Sequence, residues 1–155
     1  MSNAIHDRLK ELGVVLPTPA APVANYVPFV RTGSQLFVSG QLPVGADGMI
    51  KGTMGAGATL EQGRDAAKLC AINLLAQANV ALGGDLSKIV RCVKLGAFVA
   101  STADYIDHPQ VVNGASDFMV AALGDAGRHA RFALGVTALP FGALVEIDAV
   151  FEVRD

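Results

Sequence analysis

The order of elements along the chain predicts an α+β fold, a mixed sheet with two long helices packed on one face. Three observations carry this. Two long stretches place apolar residues at helical steps, one opened by a Thr-x-x-Gln box and the other by Asp107 with Pro109. Segments of strand-like alternation precede, separate and follow them. The chain closes with two alternating segments joined through Leu139-Pro140-Phe141-Gly142, which reads as an antiparallel hairpin.

Taken in order, residues 1–13 hold a short amphipathic helix, with apolar positions at helical spacing over 4–12 and a stop at Gly13. Residues 14–25 are rich in Pro and Ala and form an extended lead-in that cannot continue a helix. FVRTGSQLFVSG reads as two strands around a turn at Thr32-Gly33. Gly40, Gly45, Gly48, Gly52, Gly55 and Gly57 mark a loop, with a weak strand at Met49-Ile50. Thr59 and Gln62 then cap a helix whose inner stripe is Ala66, Leu69, Cys70, Leu74, Ala78 and Ala81, ended by Gly83-Gly84. Residues 88–99 form a strand with Val93, Leu95, Ala97 and Val99 on one face. A second helix runs from Asp107 to Gly124, and strands follow at 130–137 and 143–153.

A chain of 155 residues suits one domain, residues 1–155. With 52% hydrophobic and only 17% charged residues it is no disordered chain, and so few charges imply surface hidden in an oligomer. A net charge of −2 with no basic run leaves out the electrostatic footprint of nucleic-acid binding. No apolar run reaches the roughly 18 residues of a membrane helix, and the early charges do not make a signal peptide. Cys70 and Cys92 lie in apolar segments without a CxxC pattern, so they read as reduced core thiols of a cytoplasmic protein. His6 and His108 stand apart, and no spacing suggests a metal site. The glycines of 40–58 lack the order of a phosphate loop.

The chemistry concentrates in the last two strands. Alternation puts Phe132, Leu134 and Val136 on the core face, with Arg131, Ala133 and Gly135 opposite. In the final strand Val145, Ile147, Ala149, Phe151 and Val153 are core, and Glu146, Asp148 and Glu152 lie opposite. Arg131 and Glu146 are therefore expected together on the face turned away from the helices. Two readings fit: a cross-strand Arg131–Glu146 ion pair, or a guanidinium among small residues that receives a carboxylate through two parallel hydrogen bonds. His129, two residues before Arg131, reads as a rim or turn residue ahead of an acid–base group.

The stretch HARFALGVTALPFGALVEIDAV resembles the signature of the RidA/YjgF family of enamine/imine deaminases. LFVSGQLPV resembles the family's strand ending in Ser-Gly-Gln, DHPQVVNGASDFM the start of its second helix, and Tyr26 stands where the family has a tyrosine. The resemblance spans residues 20–153 and implies a chorismate-mutase-like subunit of the bacterial trimeric type, with sites in the clefts between subunits of a homotrimer. It places the catalytic arginine on Arg131 and the acidic residue on Glu146, with Tyr26, Asn113 and the backbone of Gly40 and Ala133 lining the pocket. The implied reaction is hydrolysis of 2-enamino and 2-imino acids such as 2-aminoacrylate to a 2-keto acid and ammonia, without cofactor. The alternative is a non-catalytic binder of small carboxylates in the same cleft. An endoribonuclease role has been attached to relatives by name, and the acidic balance argues against it here. Ala133 stands where many members carry a cysteine, and the N-terminal helix marks a longer subgroup.

Overall fold

The computed structural model describes residues 4–21 and 24–155; residues 1–3 of the expected N-terminal helix and 22–23 of the lead-in lie outside the described residues. The elements are α1 (Ala4–Glu11), β1 (Phe29–Thr32), β2 (Gln35–Gln41), β3 (Val44–Gly45), β4 (Gly48–Met49), α2 (Leu60–Ala81), β5 (Ile89–Ala100), α3 (His108–Leu123), β6 (Ala130–Val136) and β7 (Val145–Val153). The main sheet runs β1-β2-β7-β5-β6, with β5 and β6 parallel and every other pair antiparallel.

Local chemistry explains the helix starts. Thr59 accepts from the Gln62 amide at 3.1 Å while the Gln62 side chain accepts from the Thr59 amide at 2.9 Å, the reciprocal box read from the sequence. Asp107 precedes α3 with Pro109 in its first turn, where the missing N–H costs nothing. The helices pack on one face, through Leu74, Leu75, Val111 and Met119, against Leu36, Leu95, Ile147 and Phe151, all fully buried. They approach closely because position 114 is glycine: a Cβ there would strike the Arg64 carbonyl. The first hairpin turns at Gly33-Ser34, one residue later than expected, since Thr32 pairs with Gln35 and Gly33 takes a φ of 59°.

Three expectations are corrected. The closing hairpin does not form: β6 pairs only with β5, and β7 inserts between β2 and β5. The connection of residues 137–144 crosses over one strand, a gap of about 10 Å at the usual interstrand spacing, which a tight turn does not span. Second, the faces of β6 are reversed. Arg131 is level with Leu95 and Ala133 with Ala97 in the parallel register, so Arg131, Ala133 and Gly135 face the helices. Phe132, Leu134 and Val136 lie on the open face instead of in the core, with Phe132 edge-on to Phe98 at 5.3 Å. Third, irregular register at Ile89/Arg91 and Cys92/Lys94 turns Val93 outward, away from Leu95, Ala97 and Val99.

Candidate functional site

The reversed strand separates the site residues into two groups. Arg131 lies in the groove between edge strand β6 and α3. Its Nη1 donates to Ser116 Oγ at 3.0 Å and its Nη2 to the Pro109 carbonyl at 3.5 Å. Residues 109, 113 and 116 share a helical stripe, so Asn113 lies on the same side of α3 between those two partners. Ala133 follows Arg131 on the groove side and is partly buried against the core. Beyond it, a Cβ on Gly135 would fall on His108 Nε2 and 2.5 Å from Ser101 Oγ, so only glycine lets the Ser101–His108 pair, 3.0 Å apart, sit against the strand. Tyr105 meets the His108 ring edge-on at 5.3 Å.

The electrostatics of this groove are one-sided. Arg131 is half-buried, and none of the ion pairs among the described residues includes it; its two hydrogen-bond acceptors are neutral oxygens. A guanidinium has five N–H donors, so with two engaged three remain for a ligand. The Arg131–Glu146 ion pair does not form, because β5 lies between their strands and they project to opposite faces.

The second group stands on and beside the open face. Glu146 is level with Phe98 on β5, and its carboxylate fills the space beside Gly40: a Cβ on that glycine would come within 2.8 Å of Glu146 Oε1. The register shift between Val38 and Gln41 swings Gly40 into this position. Burial, and after it the neighbouring Asp148, push the Glu146 carboxyl up from its ordinary value, so it holds a proton more readily than an exposed glutamate. Gly40 and Tyr26 both line a cleft of about 1090 Å³ between the lead-in, the loop after β2 and α2. Within one chain, then, Tyr26, Gly40 and Glu146 gather near the end of β2, and Arg131, Ala133 and Asn113 at the opposite sheet edge. Ser116, Ser101 and His108 were not anticipated. Ser116 was legible as the residue one turn beyond Asn113, but only once Arg131 is placed on the helix side.

Cys70 and Cys92 are buried free thiols, as expected. Burial, with a smaller contribution from Glu146, raises Cys70 well above its usual value, and burial pushes Cys92 up to about 12. Among the described residues no group of three His, Cys, Asp or Glu side chains could hold a metal ion, and no helix is long and apolar enough to cross a membrane.

A mixed five-stranded sheet with helices on one face defines a small α+β domain, and at its edge stands an arginine that, among the described residues, has no acidic partner. The chain belongs to the YjgF/RidA family: the family described as "YjgF/chorismate mutase-like, putative endoribonuclease" matches residues 6–153. It is 45% identical to protein TCP17 of Trypanosoma cruzi over 99% of this chain and 97% of that one. Its fold is similar to that of Atu1372 from Agrobacterium tumefaciens, a protein of unknown function, at a TM-score of 0.91 and 49% identity over 97% of this chain and 93% of that one. It is also similar to E. coli TdcF with bound serine, at a TM-score of 0.61 and 26% identity over 89% of this chain and 94% of that one. These neighbours bear out the α+β, chorismate-mutase-like fold.

Proposed function

We propose that this protein hydrolyses reactive 2-enamino and 2-imino acids, such as 2-aminoacrylate, to 2-keto acids and ammonia, with Arg131 holding the substrate carboxylate. The observation that carries this is the half-buried guanidinium of Arg131, engaged only by neutral oxygens and with three N–H groups to spare. A planar carboxylate matches that fork. TdcF, similar in fold, holds serine, a small α-amino carboxylate.

In the imine form the carbon next to the carboxylate is already electrophilic, so the chemistry needs positioning more than activation. Water adds to that carbon, the C=N bond becomes single, and a proton goes to nitrogen. The carbinolamine then loses ammonia as its hydroxyl gives up a proton and the keto group forms. Glu146, its carboxyl pushed up by burial, suits the giving and taking of those protons, a role worth about 10²–10⁴-fold.

Arg131 and Glu146 face opposite sides of one sheet, so they serve one substrate across a subunit boundary of a homotrimer. The open sheet face supports this, since Val30, Phe37 and Leu134 leave 52%, 43% and 51% of their surface uncovered on it. Light scattering on the eluted protein is expected to give three times the chain mass of 16.0 kDa.

The activity is tested by generating 2-aminoacrylate in situ with a pyridoxal-phosphate lyase and following its loss by absorbance. Faster loss with the protein, abolished in Arg131→Ala, supports the assignment. No acceleration, with retained binding of pyruvate, converts the reading to a non-catalytic carboxylate binder; full rate in Arg131→Ala overturns the role of that residue.

A further inference from the structure

The guanidinium of Arg131 sits at the end of a hydrogen-bonded chain that starts in the turn after α3. Ser116 Oγ, which accepts from Arg131 Nη1 at 3.0 Å, lies 2.9 Å from His129 Nε2, and His129 Nδ1 lies 2.6 Å from the Gly127 carbonyl oxygen. Donor and acceptor chemistry sets the direction of each link. A carbonyl oxygen only accepts, so His129 Nδ1 donates to Gly127, and in the neutral ring Nε2 is then the acceptor. A guanidinium only donates, so the Ser116 hydroxyl accepts from Arg131 and donates to His129. The far end of the chain is fixed by backbone packing. Gly127 is buried, and a Cβ there would strike the Met119 carbonyl and come within 2.8 Å of the Val120 nitrogen, so this turn lies directly on the last turns of α3.

We infer that His129 and Ser116 are positioning residues for carboxylate capture: the link Gly127–His129–Ser116 orients the Arg131 fork so that its spare N–H groups face the groove. This rests on the assignment of Arg131 as the carboxylate receptor. Arg131 stands on an edge strand, and a long side chain there must give up rotamer freedom each time it binds a ligand. A guanidinium already held at Nη1 has given up part of it beforehand.

Binding of pyruvate and of its uncharged amide, pyruvamide, measured by calorimetry, tests the inference without relying on turnover. Ser116→Ala and His129→Asn are expected to raise the Kd for pyruvate about fivefold to tenfold, the usual worth of one positioning hydrogen bond, and to leave pyruvamide binding unchanged. His129→Asn keeps a donor for Gly127 but does not reach Ser116. His129→Gln places an amide oxygen where Nε2 was and is expected to recover most of the lost affinity. Thermal melts establish that each variant is folded. Pyruvate affinity within twofold of the parent in Ser116→Ala and His129→Asn, with binding lost in Arg131→Ala, overturns the positioning role and leaves the receptor intact. Equal loss of pyruvate and pyruvamide reduces the link to a structural one and overturns the inference as well. Unaltered pyruvate binding in Arg131→Ala, or none in the parent, overturns the receptor itself.

Discussion

Replacing Arg131 with lysine keeps the charge and removes the fork. The parent side chain spends two of five N–H donors on Ser116 and Pro109 and presents three to a ligand. An ammonium has three donors at a single point, and holding the same two oxygens leaves it one. The substrate carboxylate then loses one of two parallel charge-assisted bonds, worth roughly 1.5–3 kcal/mol. At about 1.4 kcal/mol per factor of ten, kcat/KM for 2-aminoacrylate falls about 10- to 150-fold. The loss is expected mostly in KM, because the carboxylate is held equally in ground and transition states. The assay is the coupled lyase system run over a range of amino acid feed, with parent and variant at matched fold by circular dichroism. A variant within threefold of the parent refutes paired recognition, since a point charge would then serve as well.

Three further outcomes test the structure. Thr59→Ala removes one half of the reciprocal cap on α2 and is expected to cost about 1 kcal/mol in urea unfolding; no change would mean that the helix end is held by packing alone. Gly135→Ala puts a methyl group on the His108 ring and beside Ser101, so it should break that pair and lower the melting temperature, whereas an unchanged melt would place His108 elsewhere. Glu146→Gln removes a carboxyl whose folded-state pKa lies above its ordinary value of 4.5. Below that value the group is protonated in both states. As pH rises above it the unfolded chain ionises first, and the parent loses stability relative to the variant. Melts at a series of pH values are expected to show the variant gaining on the parent from about pH 4.5 upward, and the opposite trend would contradict the assigned burial.

Much of the architecture was legible because local chemistry decided it. The Thr59–Gln62 box and the Asp107–Pro109 start stand where the sequence puts them, and Ala66, Cys70, Leu74 and Ala78 of the α2 stripe are buried as their spacing requires, while Leu69 is only partly covered and lines the cleft. What was not legible is partnership. Alternation in ARFALGV tells that residues take turns between two faces; it does not say which face is the core. Here the bulky apolar residues, Phe132 and Leu134, look outward, and the inner side carries Arg131, Ala133 and a glycine at 135, where a Cβ would fall on the His108 ring. The same ambiguity hid the crossover, since two alternating strands around Pro140 look alike whether they pair or are parted by β5. Arg131 was found as a residue and misplaced as a direction, and Ser116 went unseen with it.

The thiols carry a last consequence. Oxidants and alkylating agents attack thiolate that is both ionised and within reach. Both thiols of this chain are sealed inside and held protonated, and alanine occupies position 133 in the groove. Iodoacetamide and other thiol reagents therefore find no handle on the native molecule, and the rate at which its thiols are lost is set by how often it unfolds.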